Sequence, residues 1–208
     1  MSGAEPGRGG LDPAAVRADP LEQVLAWLAD AEAAGVDEPN AMTLATASRD
    51  GRPSARTVLL KGVDERGFAF FTNYRSRKGR ELAENPYAAI VLYWRPLGRQ
   101  VCATGRVSRM PGAESDRYFG SRARASRLGA LASPQSRAIP SRAALDEAVR
   151  TLASRYPGDS VPRPGHWGGM LLAPEEIELW QEGDSRLHDR LRYRRAHGGA
   201  WTIERLAP

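Results

Sequence analysis

The stretch ARTVLLKGVDERGFAFFTN, residues 55–73, decides the fold of this chain. It consists of two runs rich in β-branched and aromatic residues on either side of Asp64-Glu65-Arg66-Gly67, a turn-forming tetrapeptide. This is the pattern of a β-hairpin. Similar short runs recur at 42–48, 88–94 and 100–110. The spacing predicts an antiparallel barrel built from hairpins.

Helical patterns interrupt and flank these strands. Asp19-Pro20-Leu21-Glu22 is a helix start, because Asp19 can cap, Pro20 suits the first helical position and Glu22 completes the capping box. The stripe Leu21, Val24, Leu25 and Leu28 should then be buried. A short helix is expected from Ser76 to Glu84, and two or three helices between 112 and 156, the last opening at Pro140-Ser141.

Strands return after Pro164, in runs at 167–173, 177–181, 186–195 and 200–206. The fold class is therefore mainly β with flanking helices, an α+β protein. Residues 1–18 are rich in Gly, Ala, Pro and Arg with little periodicity, which predicts a disordered tail. Since no repeat or composition shift follows, residues 19–208 should form a single domain.

Composition narrows the class of protein. The 208 residues are 41% apolar and 26% charged, which is typical of a globular domain with a core. No apolar run approaches the ~20 residues of a membrane span, and the N-terminal residues do not resemble a secretory signal. The single cysteine, Cys102, excludes an internal disulfide, and no spacing suits a metal site. We expect a cytoplasmic protein without membrane partners.

The net charge of +5 raises the question of nucleic-acid binding. Such binding predicts lysine and arginine clustered on one helix or tail, whereas the cations here are mostly arginines spread through the expected strands. Arginine forks suit bidentate contacts with phosphate or carboxylate. We therefore expect small anionic ligands and no nucleic-acid partner.

Four local arrangements could carry chemistry. In Ser76-Arg77-Lys78, two cations occupy the first turn of a helix against its macrodipole, so either both side chains reach water or an anion binds there. In 186–194, strand alternation would place Arg186, His188, Arg190, Arg192 and Arg194 on one face, with Leu187, Leu191 and Tyr193 on the other. That face is either solvated or turned toward an anionic ligand.

The other two arrangements are weaker in isolation. Tyr118, Arg122 and Ser126 lie four residues apart, so on an unbroken helix they would face one direction, as a phosphate clamp or as a solvated surface. Arg56 and Lys61 would lie on opposite faces of a regular strand. The chain lacks the glycine-rich motifs of dinucleotide and Walker-type sites and the G-x-S-x-G elbow. What remains is a barrel suited to a phosphorylated cofactor and a phosphorylated substrate.

At these residues the sequence resembles the pyridoxamine/pyridoxine 5'-phosphate oxidase family, from about Asp19 to Pro208. The matching motifs are RTVLLK (56–61), FFTNYRSRKGREL (70–82), RQV (99–101), YFGSRARASRLGA (118–130), QS (135–136), WGG (167–169), ELWQ (178–181), RLHDR (186–190) and ERLAP (204–208). So many motifs in order are more specific than any one alone. The resemblance implies an FMN-binding split β-barrel and a homodimer with FMN at the subunit interface.

The resemblance also implies a role for each motif. FMN would be contacted by Arg56, Thr57, Val58, Leu59, Leu60, Lys61, Phe71, Thr72, Arg77, Lys78, Gln100, Gln135, Ser136, Trp180 and Arg190. Lys61, Tyr118, Arg122 and Ser126 would hold the substrate phosphate. Arg186 and His188 would bind the pyridine end of the substrate and act as the catalytic residues, by positioning and charge stabilisation.

The implied reaction oxidises pyridoxamine and pyridoxine 5'-phosphate to pyridoxal 5'-phosphate by hydride transfer from the substrate to the flavin. O2 then reoxidises the flavin and yields H2O2. The chain departs from the family pattern at Leu131, Met170, Glu182 and Asp184, which leaves the substrate shape open. The alternative is a related FMN-dependent oxidase of phenazine biosynthesis. Retention of all four phosphate-binding residues argues against it. A carrier of pyridoxal phosphate without turnover is a further alternative.

Overall fold

The computed structural model describes residues 10–196 and 199–208, in which the chain forms nine strands and five α-helices. In chain order these are α1 (Pro20–Ala33), β1 (Ala41–Ala47), β2 (Pro53–Leu59), β3 (Gly62–Asp64), β4 (Gly67–Asn73), α2 (Arg77–Glu84), β5 (Tyr87–Trp94), β6 (Arg99–Arg109), α3 (Gly112–Ser121), α4 (Arg124–Ala132), α5 (Arg142–Arg155), β7 (Trp167–Gln181), β8 (Asp189–Arg195) and β9 (Trp201–Leu206). None of the helices in these residues is long and apolar enough to cross a membrane.

The nine strands form one antiparallel sheet, in which seven follow the order β2-β1-β5-β6-β7-β4-β3, while β8 pairs with β7 and β9 pairs with β8. Its two outer members, β2 and β3, are consecutive in the chain and separated by only Leu60 and Lys61. The backbone N–H of Leu60 donates to Asn40 on the β1 side, and that of Lys61 donates to Ala69 in β4. The chain thus passes directly from one edge of the sheet to the other and closes it. The predicted antiparallel barrel is confirmed.

The barrel core comes from the period-two pattern of the strands. In β5 the alternate residues Ala88, Ile90, Leu92 and Trp94 are buried, as expected when one face of a strand points inward. Helix α1 begins at Pro20 as predicted, with Asp19 accepting a hydrogen bond from the Leu21 N–H, and its buried residues pack into the barrel core.

The buried stripe of α1 differs from the predicted one. It uses Leu21, Val24, Trp27 and Ala31, and Leu25, which the sequence places in the stripe, is 45% exposed. The buried face is rotated toward Trp27 and Ala31, because the Trp27 ring packs in the barrel core, while Leu28 is only partly buried against it.

Strand β7 connects the two halves of the sheet. The sequence predicts two separate runs here, but residues 167–181 form one strand. Its first half pairs with β4 and its second half with β8, while β6 runs along its other side. The register shifts between Thr104 and Gly105 of β6, and such bulges let a strand bend without ending. Trp167 and Trp180 consequently lie at opposite ends of one strand.

Helices α3, α4 and α5 form a small excursion with its own core of Phe119, Leu128, Val161 and Trp167. Three helices are found in the predicted interval, and Ser141 caps α5 by accepting a hydrogen bond from Ala144 N–H. Arg124 donates to carbonyls at the end of α5 and in the following loop, which fixes α5 against α4.

The N-terminal segment already contacts the barrel at residue 11, before the predicted boundary at residue 18. Leu11 is buried, and its N–H donates to the Asp189 carboxylate at 3.1 Å. The hydroxyl of Tyr193 donates to the Arg17 carbonyl at 2.8 Å. Residues 11–18, which the sequence assigns to the disordered tail, thus contact β8 at both ends of the segment, and the boundary of the tail stays a prediction. The prediction for residues 1–9 lies outside the described residues.

Candidate active site

A cavity of about 290 Å³ opens where the end of β2, β4 and the start of α2 meet the α3–α4 excursion. It brings together predicted cofactor residues from three separate motifs with predicted substrate residues from a fourth. Its lining comprises Thr57, Val58, Leu59, Lys61, Phe71, Thr72, Asn73, Lys78, Tyr118, Arg122, Gln135 and Trp167. The barrel closure explains this assembly, because the β2–β3 junction carries Lys61 to the edge of β4.

A second cavity, also of about 290 Å³, adjoins the first and shares Arg122 with it. Ser126 lines this second cavity, together with Gly129, Ala130 and Ser133. The structure does not contain the unbroken helix assumed for Tyr118, Arg122 and Ser126. Helix α3 ends at Ser121, Arg122 has extended backbone angles, and α4 begins at Arg124. The break turns the Arg122 side chain toward both cavities.

Arg122 places a partly buried positive charge between the two cavities. Its Nη1 atom is buried and has no hydrogen-bond partner in the described part of the chain. The guanidinium lies 4.8 Å from the centre of the Trp167 ring, and its burial lowers the pKa of Arg122. A buried cationic donor without a partner is costly, and an anion placed in either cavity would remove that cost.

Stacked aromatic rings form one wall of the first cavity. The rings of Phe71 and Tyr118 are 3.8 Å apart between centroids, and those of Phe71 and Trp167 are 5.4 Å apart. The glycines after Trp167 permit this packing. A Cβ on Gly168 would lie 2.1 Å from the Tyr74 hydroxyl oxygen, and one on Gly169 would lie 2.5 Å from the Met110 sulfur.

The two cations at the start of α2 have different surroundings. Ser76 caps the helix by accepting a hydrogen bond from Gly79 N–H at 3.2 Å, and Arg77 pairs with Glu81 at 2.8 Å. Lys78 is half-buried, lines the first cavity and lies 3.4 Å from the Gln135 side-chain oxygen. Burial and the neighbouring Arg56 lower the pKa of Lys78. Lys78 is therefore partly shielded from water, whereas Arg77 is exposed, and anion binding at this helix start stays a prediction.

Arg56 lies behind the cavity lining. Its guanidinium donates to the Leu44 carbonyl, the Thr46 and Ser54 hydroxyls and the Glu81 carboxylate. Neither Glu81 nor Asn73, which lines both cavities, is singled out by the sequence analysis. A signal for Glu81 exists in its i, i+4 spacing from Arg77, but that spacing is equally common on solvated helix faces.

A second group of predicted residues lies elsewhere on the sheet. Gln100, Trp180 and Arg190 are direct cross-strand neighbours in β6, β7 and β8, so their side chains form one row. Arg190 makes a bidentate pair with Glu178, with both N–O distances 2.9 Å.

The segment before β8 corrects the predicted alternation. The strand begins at Asp189, so Arg186 and His188 precede it, and Leu187 is 72% exposed instead of facing the core. Ser185 and Arg186 have φ angles of 52° and 64°, a left-handed conformation that a strand cannot contain. Strain of this kind concentrates at functional sites.

His188 is held between backbone and ring contacts. Its Nδ1 accepts a hydrogen bond from the Gly183 N–H at 3.2 Å, and its ring lies 4.7 Å from that of Trp180. A neutral imidazole that accepts at Nδ1 carries its proton at Nε2. His188 therefore has a donor to offer at its other nitrogen.

The distal arginines of β8 are matched by glutamates. Arg192 pairs with Glu204 at 3.0 Å and faces Glu176, which Arg194 also approaches at 3.6 Å. Leu191 and Tyr193 are buried on the opposite face, as predicted. These pairs neutralise Arg192 and Arg194 across the neighbouring strands.

The two groups of predicted site residues lie at opposite ends of β7. The group around the cavities lies beside Trp167, whereas Gln100, Arg190 and His188 lie beside Trp180. At ~3.3 Å per residue, roughly 40 Å of strand separates the two tryptophans. The two groups are therefore far apart along β7 within one protomer.

Two solved structures share this fold. PhzG from Burkholderia lata 383, in complex with tetrahydrophenazine-1-carboxylic acid, has a TM-score of 0.89 and 37% identity, covering 95% of this chain and 98% of its own. A pyridoxamine 5'-phosphate oxidase-related, FMN-binding protein from Nostoc punctiforme has a TM-score of 0.74 and 20% identity, covering 91% and 98%. The fold therefore places the chain in the class of split-barrel proteins to which these two structures belong.

The sequence comparisons are more specific. The family model described as pyridoxamine 5'-phosphate oxidase matches residues 28–156, and the model of the pyridoxine 5'-phosphate oxidase C-terminal dimerisation region matches residues 167–208. The chain belongs to the pyridoxamine 5'-phosphate oxidase family, as the resemblance predicted. A relative named pyridoxine/pyridoxamine 5'-phosphate oxidase from Salinibacter ruber is 57% identical, covering 91% of this chain and 89% of its own. One of the same name from Salinispora arenicola is 56% identical, covering 96% and 90%.

Proposed function

We propose that this chain oxidises pyridoxamine 5'-phosphate and pyridoxine 5'-phosphate to pyridoxal 5'-phosphate, with FMN as cofactor, O2 as electron acceptor and H2O2 as product. The observation that carries the proposal is the shared cavity. Lys61, Tyr118 and Arg122 surround one space with Lys78 and Gln135, so cationic and hydroxyl groups suited to two phosphoryl groups lie within one cavity.

The lining residues fit FMN. Lys78 is a half-buried cation whose charge is poorly solvated, and Gln135 precedes Ser136, a residue with a φ of 70°. A phosphate near Lys78 would stabilise that cation. Thr57, Leu59 and Phe71 would contact the rest of the cofactor. When bound, FMN supplies the two-electron acceptor that O2 regenerates.

Arg122 would bind the substrate phosphate. Its buried, unpaired Nη1 can donate to a phosphoryl oxygen, while Tyr118 and Lys61 can donate from the neighbouring walls. Ser126 would contribute from the adjoining cavity. Fixing the phosphate at one end of the substrate restricts where the carbon to be oxidised can lie, which is the main way such contacts raise rates.

Arg186 and His188 would bind the pyridine end of the substrate. The Gly183 N–H fixes the imidazole so that Nε2 can donate to an electron-rich group of the substrate. The exposed Arg186 side chain adds positive charge beside it. Both residues would stabilise the charge that develops on the pyridine ring of the substrate during oxidation.

We infer that the active form is a homodimer. Residues 167–208 match a dimerisation region, and the two groups of site residues lie at opposite ends of β7 in one protomer. In a twofold dimer, the Arg186–Arg190 segment of one protomer can approach the cavity of its partner. Arg186 and His188 would then serve the partner's cavity.

A phenazine-type oxidase is the second candidate, and the PhzG structure is the observation that favours it. Its ligand is a carboxylic acid named without a phosphate. The half-buried Arg122 could bind a carboxylate, but one carboxylate does not account for Lys61, Tyr118 and Ser126 around the same two cavities. The relatives named for vitamin B6 oxidation are also more similar in sequence.

The test is to reconstitute the purified full chain with FMN and measure its products. We expect a yellow protein that consumes O2 with pyridoxamine 5'-phosphate and releases equal amounts of pyridoxal 5'-phosphate, ammonia and H2O2. Tight binding of pyridoxal 5'-phosphate without O2 uptake would instead indicate a carrier. Oxidation of a dihydrophenazine carboxylate alone would indicate the second candidate.

A further inference from the structure

Glu81 is a buried carboxylate on the inner face of α2, with a relative exposure of 6%. Its Oε2 accepts hydrogen bonds from the Thr46 hydroxyl at 2.5 Å and the Ser54 hydroxyl at 2.6 Å. Its Oε1 accepts from Nε of Arg77 at 2.8 Å. Both oxygens are thus engaged, and they connect a helix to two strands.

The two hydroxyls connect Glu81 to Arg56. Nη1 of Arg56 donates to the Thr46 hydroxyl at 2.6 Å, and Nη2 donates to the Ser54 hydroxyl. A hydroxyl has one proton, and a guanidinium cannot accept it. Each hydroxyl must therefore accept from Arg56 and donate to Glu81, so the network has one direction and ends on the carboxylate.

The strand register explains why both hydroxyls lie at the same place. Thr46 of β1 and Ser54 of β2 are direct cross-strand partners, and their side chains therefore project side by side. The Leu44 carbonyl accepts a further hydrogen bond from Arg56 at 3.1 Å. Arg56 is consequently held at four acceptors and has little freedom to turn.

We propose that Glu81 is a positioning residue for the phosphate subsite of the cofactor. It fixes Arg56 through Thr46 and Ser54 and fixes Arg77 directly, so that both guanidiniums present constant positive charge beside Lys78. The inference rests on the proposed function, because it requires FMN as the ligand of these cations. Glu81 would thus contribute to cofactor binding although it does not line the cavity.

Two other roles for Glu81 predict different results. If Glu81 only docks α2 on the sheet, its loss weakens all flavin binding equally. If its negative charge only opposes the phosphate, its loss strengthens FMN binding. If Glu81 is a positioning residue, its loss weakens the binding of FMN but not that of riboflavin, which has the same ring and no phosphate.

The experiment titrates the full chain, stripped of flavin, with FMN and with riboflavin while flavin fluorescence is followed. For Glu81→Ala we expect the Kd for FMN to rise at least about tenfold, as for loss of a charge-assisted hydrogen bond, with the Kd for riboflavin unchanged. Glu81→Gln should restore part of the affinity, because its amide oxygen can still accept from both hydroxyls, while its NH2 group can no longer accept from Arg77. Glu84→Ala, at an exposed position of α2, is the matched control and should change neither Kd.

Equal losses for FMN and riboflavin, tighter FMN binding, or no rescue by Glu81→Gln would each overturn the inference. If Glu81→Ala does not fold, Ser54→Ala removes one connection to Arg56 and should raise only the Kd for FMN. Unchanged FMN affinity in Ser54→Ala would count against the positioning role. If the unmodified chain binds FMN and oxidises the vitamers while these variants behave like it, only this inference fails. If the unmodified chain does not bind FMN, the proposed function fails with it.

Discussion

At the scale of single residues, the site depends on cations that lack their usual solvation. Arg122 has a buried donor without a partner, and Lys78 is half-buried beside Arg56. Each arrangement costs free energy in the free protein, and each becomes favourable when an anion binds. Both poorly solvated cations line the same cavity. Two bound phosphoryl groups are therefore the simplest explanation for these lining residues.

Removal of the Arg122 side chain tests the substrate-phosphate assignment. Arg122→Ala should raise the KM for pyridoxamine 5'-phosphate by about 10- to 100-fold, since a charge-assisted hydrogen bond contributes roughly 1.5–3 kcal/mol. The flavin content should not change. Steady-state kinetics with the absorbance spectrum of the bound flavin measure both. Arg117→Ala, at an exposed position of α3, is the control. An unchanged KM would remove Arg122 from the phosphate clamp.

The cations of the site could be predicted from the sequence and their partners could not. Lys78 and Arg77 are conspicuous because they oppose the helix dipole, and the resemblance assigned them a role. Glu81 is not conspicuous, because an acid four residues after an arginine usually marks a solvated face. Only the fold, which places Thr46 and Ser54 opposite α2, shows that Glu81 is buried.

At the scale of elements, strand β7 positions the aromatic wall through its first residues. The backbone of β7 packs closely against neighbouring side chains at Gly168. A Cβ on Gly168 would lie 2.1 Å from the Tyr74 hydroxyl oxygen and 2.9 Å from that of Ser115. The Ser115 hydroxyl in turn accepts a hydrogen bond from the Gly169 N–H at 3.0 Å. Trp167 is thereby held against Phe71.

A methyl group at Gly168 should disturb this packing. We expect Gly168→Ala to lower the free energy of unfolding by about 1–3 kcal/mol, as for overpacked cores, and to lower activity by displacing Trp167. Gly165→Ala is the control, because a Cβ there meets no atom within 4 Å. Urea denaturation of both variants gives the comparison. Equal stability of the two would show that the close contact at Gly168 is relieved easily.

The docking of α2 on the sheet should depend on pH through Glu81. Burial alone would raise the pKa of Glu81, but hydrogen bonds from Ser54, Thr46 and Arg77 outweigh it and lower the pKa from 4.5 to about 2. A lowered pKa contributes stability above the unfolded value that is lost as pH falls through the folded one. The free energy of unfolding should therefore fall more steeply between pH 4.5 and 2 in the unmodified chain than in Glu81→Gln. Parallel curves in urea titrations at each pH would contradict this.

Most element positions follow from periodicity, and the errors have local causes. Alternation predicted a strand from Arg186, but two residues with positive φ delay it to Asp189. Spacing of four predicted one helix through Tyr118 and Arg122, but the chain extends at Arg122. Gly120 and Gly183 lie just before these two changes, but a single glycine can also lie inside a helix or strand, so neither decided the boundary by itself.

At the scale of the whole molecule, closure of the barrel determines which residues meet. The β2–β3 junction brings Lys61 to β4, while the long β7 carries Trp180 away from Trp167. Hairpin signals could predict the antiparallel barrel, since each hairpin is local. Which edges join and where the two groups of site residues lie depend on contacts distant in sequence, and these could not be read from local patterns.

Mixing two inactive variants tests the composite site. Arg122→Ala and Arg186→Ala should each be strongly impaired at low substrate concentration. If one protomer supplies Arg122 and its partner supplies Arg186, a mixed dimer regains one intact site. After complete subunit exchange at equal concentrations, about a quarter of the original activity should return, because half the dimers are mixed. No recovery, with mixed dimers verified by mass, would place both residues in the same protomer's site.

The cavity around Arg122 should select substrates by their phosphate group. The most direct measurement compares kcat/KM for pyridoxamine 5'-phosphate and for pyridoxamine by O2 uptake with the FMN-loaded chain. We predict a preference for the phosphorylated vitamer of at least about 100-fold, because two or more charge-assisted hydrogen bonds would be lost without the phosphate. Equal kcat/KM values for the two vitamers would contradict the account.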